Sequence, residues 1–140
     1  MFTNIRQSFN ALFSALFNTK WSKLHQTALW CAVIAISYLA TTSVDHTVQS
    51  TFNDKFNHLI AFIVLSFLAH IAYPKVKKLK WATALFFYGL LIEAVQYFLP
   101  YREFSLLDLA TDSVGIIAYL IIFWTFFDQL LVKQTLDKAQ

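Results

Sequence analysis

Cysteine, glycine and proline are nearly missing from this 140-residue chain, which holds one Cys, two Gly and two Pro. A single thiol, Cys31, rules out an intramolecular disulfide and any Cys-x-x-Cys site. It sits in a long apolar run, where cysteine behaves as a small hydrophobe. So few turn formers exclude collagen-like and low-complexity chains. Charge is also scarce, at 14% of residues, against about 25% in an ordinary soluble domain. Disorder is excluded as well, because it needs high charge and low hydrophobicity. The net charge of +3 is too small and too scattered for a nucleic-acid surface, and no nucleic-acid partner is expected.

What fills the chain instead is apolar and aromatic: 58% hydrophobic and 18% aromatic residues, with a mean hydropathy of +0.54. Four stretches approach the roughly 20 predominantly apolar residues that a bilayer-spanning helix needs. They cover residues 27–43, 57–73, 81–99 and 107–127. None alternates strictly, and all are far longer than the ~10 residues of a barrel strand. The expected fold is all-α, an integral membrane bundle of four transmembrane helices. Before it, Phe2, Ile5, Phe9, Leu12, Phe13, Leu16 and Phe17 recur every three or four residues. That spacing predicts an amphipathic helix lying in the membrane interface or packed on the bundle. Asn10, Ser14 and Asn18 interrupt any signal-peptide core. The expected organisation is thus an interfacial helix over 1–23, a transmembrane domain over 24–128 and a polar tail over 129–140.

Lys and Arg set the orientation, because cytoplasmic connections carry them in excess. Arg6, Lys20 and Lys23 precede the first span, Lys75, Lys77, Lys78 and Lys80 follow the second, and Lys133 and Lys138 lie in the tail. The first connection holds only Lys55 and the third only Arg102. Both termini are expected in the cytoplasm, in a multi-pass protein of the inner membrane.

With that orientation the polar residues fall at one level, near the outer surface. Asp54, Lys55 and His58 open the second helix, Glu93 and Gln96 lie in the last turns of the third, Arg102 follows, and Asp108 and Asp112 open the fourth. Helical spacing puts Asp54 with His58, Glu93 with Gln96, and Asp108 with Asp112 on shared faces. Gly89 and Gly115 continue two of these faces and allow close helix approach. The expectation is an outward pocket lined by the second, third and fourth helices. A charge at a helix centre costs about 2.5–3.5 kcal/mol on insertion scales, so Glu93, about 9 Å from the end of its run, must be paired, protonated or hydrated. Arg102 is its expected partner, with Lys55 next. Simpler uses exist. Ser105-x-x-Asp108 and Thr51-x-x-Asp54 read as capping boxes, while His46 and His70 read as structural or interfacial. Capping does not account for Asp112 or Glu93, and the dipole of its own helix disfavours Glu93.

These residues resemble a known family. Asp54-Lys55-x-x-His58, Glu93-x-x-Gln96, Arg102 and Ser105-x-x-Asp108-x-x-x-Asp112-x-x-Gly115 are similar to the pattern of the VanZ-like family, small bacterial membrane proteins, with the likeness running over 54–127. Asp112 stands where Asn is more common, and Leu59 where an aromatic is. The resemblance implies a cell-envelope setting, and the namesake's link to teicoplanin resistance raises a role in antibiotic resistance. It supplies no reaction.

Two functions follow as expectations. One is a binding or accessory protein for an envelope lipid, wall precursor or glycopeptide-like ligand, contacted by Asp54, Lys55, His58, Glu93, Gln96, Arg102, Asp108 and Asp112. The other is an intramembrane enzyme on a lipid-linked substrate, in which Asp54 orients His58 and Glu93 donates a proton. No Ser or Cys stands out as a nucleophile. Asp54, His58, Glu93 and Asp108 offer metal ligands, but zinc-type spacing is missing, so neither metal nor other cofactor is expected. A channel would need polar residues reaching the inner side, and these are sparse.

Overall fold

The computed structural model describes residues 21–43, 51–102 and 104–123. They form four helices: α1 (Ser22–Thr41), α2 (Thr51–Ala72), α3 (Lys78–Tyr97) and α4 (Leu106–Phe123). No strand occurs among the described residues, in keeping with the all-α expectation. The amphipathic pattern of residues 2–17, His46 and the tail lie outside them.

The helices overrun the apolar runs where those runs meet polar residues. α2 begins at Thr51 rather than at 57, so Asp54 and Lys55 belong to its first turns. α1 begins at Ser22, which moves Ser22 and Lys23 from the expected interfacial segment into the first span. The physical reason is that hydrophobicity marks the lipid-crossing part of a helix, while its ends are set by backbone hydrogen bonding.

Three helical segments are long and apolar enough to cross a membrane: α1, residues 54–72 of α2, and α4. α3 is not among them, a departure from the four expected spans, because Lys80, Glu93 and Gln96 dilute its apolar run. It buries what it can: Trp81, Ala82, Leu85, Gly89, Ile92, Glu93 and Gln96 face the bundle. α1 does the reverse. Only Leu29 of this helix is buried, while Trp30, Ile34, Tyr38 and Leu39 are exposed. Bare apolar side chains on a helix whose backbone is internally bonded suit lipid as solvent.

α2 is the central element. Phe62, Leu65, Ser66 and Ala69, spaced three and four apart, are buried between the other helices. Ser66 satisfies its hydroxyl inside its own helix by donating to the Phe62 carbonyl at 2.7 Å. Both glycines mark contacts that a side chain would break. A Cβ at Gly115 would lie 2.8 Å from the Leu59 carbonyl oxygen, and one at Gly89 would lie 2.8 Å from Asp112 Oδ2 and 3.1 Å from Phe62 Cζ. Small residues thus bring α4 and α3 against α2 below the polar level. Towards the Lys-rich end, His70 joins Trp81, Tyr119 and Phe123 in an aromatic cluster. Its ring lies 4.2 Å from that of Phe123 and 5.9 Å from that of Trp81.

Candidate functional site

The start of α2, the end of α3 and the start of α4 bring their polar side chains together. Lys55 Nζ donates to Asp108 Oδ1 at 2.7 Å. Arg102 Nη1 stands 3.9 Å from Asp54 Oδ1. His58 Nδ1 lies 2.9 Å from Asp112 Oδ1. Glu93 and Asp112 are fully buried, and Gln96 and Asp108 nearly so.

Glu93 does not pair with Arg102 or Lys55, contrary to expectation. Its Oε2 accepts the Ser105 backbone N–H at 2.8 Å. Ser105 Oγ accepts the Asp108 N–H at 3.2 Å, which is one half of the predicted capping box. In the full motif the acid three residues on would return to the N–H of the cap residue. Here Glu93 takes that place from another helix, and the Asp108 carboxylate goes to Lys55 instead. The position of Glu93 then has an electrostatic reason. The C-terminus of α3 disfavours an anion, but the N-terminus of α4 favours one.

The expected Asp54–His58 acid–base unit is also replaced. Asp54 and His58 share a face of α2, yet the imidazole turns across to α4. With Asp112 ionised, Nδ1–H is the donor to its carboxylate and Nε2 remains for other partners. The Asp112 side chain is 1% exposed, so the imidazole is held by a carboxylate that water does not reach. Two carboxylate oxygens, Glu93 Oε1 and Asp112 Oδ2, are buried without a hydrogen-bond partner among the described residues.

A cavity of about 490 Å³ opens beside this cluster, lined by α1, α2, α3 and Arg102. Ile36, Leu39 and Ala40 come from α1, Ile92 and Gln96 from α3, and Asp54, His58, Ile60, Ala61 and Val64 are among the α2 residues. α1 lines this cavity where the expected pocket had α4. Asp108 and Asp112 of α4 approach Lys55 and His58 instead of lining the cavity. The reason is that α4 packs on α2 through Gly115, leaving the open side of α2 to α1.

Sequence reasoning missed how α1 is attached. Tyr88 donates to the Val33 carbonyl at 3.0 Å and lies 2.9 Å from Ser37 Oγ. Gln96 donates to the Ala40 carbonyl at 3.0 Å, and Tyr101 to that of Thr41 at 2.8 Å. The signal was present: Tyr88, Ile92 and Gln96 recur every four residues and share one face of α3.

Helices apolar enough to cross a bilayer, with ionisable groups gathered at one end beside a cavity, define a helical membrane protein with an internal polar site. The chain matches the VanZ/LLP1 family over residues 2–128, and it belongs to that family. No curated protein and no solved structure matched it.

Proposed function

We propose that this chain is a binding or accessory protein of the bacterial cell envelope that holds a lipid-linked molecule in the cavity between α1, α2 and α3. The observation that carries this reading is the two-sided lining of that cavity. Ile36, Leu39, Ile60, Ala61 and Val64 suit an acyl or prenyl chain, and Asp54, His58, Gln96 and Arg102 suit a polar head. Such a split is what an amphiphile requires of a site. Amine, amide and hydroxyl groups suit the acids, and Arg102 suits an anionic group. A wall precursor carries all of these. In this reading α3 crosses the inner membrane with the other three helices, both termini are cytoplasmic and the polar end faces outward. A C-terminal fluorescent-protein fusion should then be bright and an alkaline phosphatase fusion inactive; the opposite pair of results overturns the orientation.

The test of binding is native mass spectrometry of the gently extracted full chain. One co-purifying lipid-linked molecule per chain is expected, with at least ~tenfold less retained by Arg102→Ala, given that a charge-assisted hydrogen bond contributes about 1.5–3 kcal/mol. Equal lipid retention by wild type and Arg102→Ala, or none by either, removes the reading. One observation favours the enzymatic alternative: the His58–Asp112 contact at 2.9 Å, which fixes an imidazole as a general base would need. If catalysis is the function, His58→Ala retains the bound molecule and loses its turnover.

A further inference from the structure

The polar cluster brings three possible cation ligands together. Asp54, His58 and Asp108 each present one ligand atom, and these three atoms lie within 4.8 Å of one another. Two carboxylates and an imidazole from two different helices make a mixed oxygen–nitrogen donor set. Such a set suits a first-row divalent cation such as Mn²⁺ or Zn²⁺.

Two further observations point the same way. The first lies behind the histidine. A metal-bound imidazole nearly always donates its other N–H to a carboxylate, carbonyl or water, which fixes its tautomer and ring orientation. His58 gives Nδ1 to Asp112 at 2.9 Å, and the Asp112 side chain is 1% exposed. This carboxylate reaches a ligand of the cluster from the protein side through Oδ1, while its Oδ2 lies towards Gly89. The second is the charge balance. Asp54, Glu93, Asp108 and Asp112 face only Lys55 and Arg102 as permanent cations at this level among the described residues. Arg102 stands 3.9 Å from Asp54, so Asp54 is loosely held. Asp54 is partly exposed, but Glu93, Asp108 and Asp112 are buried, and this excess of carboxylates favours a further positive charge.

We propose that Asp54, His58 through Nε2, and Asp108 bind one divalent first-row cation. Asp112 positions the imidazole, and the remaining coordination positions open to the cavity that Asp54 and His58 line. Three protein ligands with open positions are the arrangement of a site that also takes a ligand or substrate atom. This goes against what the sequence spacing suggested, because two ligands come from α2 and the third, Asp108, from α4, so the set forms no linear motif. Lys55 is the competitor. Its ammonium sits 2.7 Å from Asp108 Oδ1 and competes with the ion for that carboxylate. Removing the ammonium therefore tightens the site, an effect opposite to that of every ligand substitution.

The experiment uses the full chain in detergent, stripped with chelator and titrated with Mn²⁺ and with Zn²⁺. Calorimetry gives the affinity and elemental analysis after desalting gives the stoichiometry. One ion per chain is expected. Asp54→Asn and His58→Gln should each weaken binding by more than ~100-fold, and Asp112→Asn by about 10–100-fold, the range for an orienting partner. Lys55→Met should strengthen it. Mn²⁺ bound to wild type should show nitrogen coupling in pulsed electron paramagnetic resonance, and this coupling should vanish in His58→Gln. Asp54 is partly exposed, so Asp54→Asn is the ligand variant least exposed to a folding defect, and Lys55→Met reads a gain that misfolding cannot mimic. The proposal is overturned if neither wild type nor Lys55→Met binds either ion stoichiometrically, or if the Asp54→Asn/His58→Gln pair binds as wild type does. The readout needs no lipid, so lipid retention without metal, or metal without lipid, separates this inference from the binding function.

Discussion

Two histidines of α2 offer a natural comparison. His58 at one end and His70 at the other both use Nδ1 to reach α4, the first to Asp112 at 2.9 Å and the second to the Tyr119 hydroxyl at 3.0 Å. Their surroundings differ. His70 stacks on Trp81 and meets Tyr119 and Phe123 edge to face, with Lys78 over the Phe123 ring at 4.3 Å. His58 borders a cavity and a set of carboxylates. One residue type, on one helix, is spent on packing at one end and kept available at the other. The partner decides the difference: a phenol completes an aromatic cluster, whereas a buried carboxylate holds an imidazole that borders a cavity.

The strongest way to break both ends together is Gly115→Val. A Cβ there meets the Leu59 carbonyl oxygen at 2.8 Å and Phe62 Cβ at 3.1 Å, and backbone cannot swing aside as a side-chain tip can. Overpacking of this kind costs about 1–3 kcal/mol or more. A large fall in thermal unfolding temperature in detergent is expected, together with loss of ligand retention; unchanged unfolding would mean that α2 and α4 are not this close. A sharper contrast comes from the histidines themselves. His70→Ala leaves the Tyr119 hydroxyl without its partner and should cost about 1–3 kcal/mol, with ligand retention per folded chain unchanged. Loss of retention there would erase the distinction between the two ends. The smallest effect tests the shared cap. Glu93→Ala removes the acceptor of the Ser105 N–H and should cost about 1–2 kcal/mol, measured by chemical unfolding. Glu93→Gln, which keeps a carbonyl oxygen, should recover most of it. A Gln variant as unstable as the Ala variant would show that the charge, not the cap, is what Glu93 contributes.

Apolar runs made the four helices legible, and helical spacing grouped the polar residues at one level. What spacing does not encode is which residue meets which across helices. Asp54 and His58 share a face of α2, but a shared face is only an opportunity, and the buried Asp112 offers the imidazole a water-free acceptor. Glu93 looked misplaced because only its own helix is visible in the chain order. The N-terminus of α4 that accommodates it is a tertiary fact. Ser105-x-x-Asp108 was half legible for the same reason, since the rival acid comes from another helix. The share of α1 in the cavity was not legible, because nothing in its apolar run announces that its backbone is gripped.

That grip has a consequence for how the protein tolerates change. Tyr88, Gln96 and Tyr101 seize main-chain carbonyls of α1 at Val33, Ala40 and Thr41. Every amino acid supplies a carbonyl, so the mooring points survive replacement of the side chains around them. The α1 wall of the cavity can be re-lined residue by residue while its berth against α3 stays put.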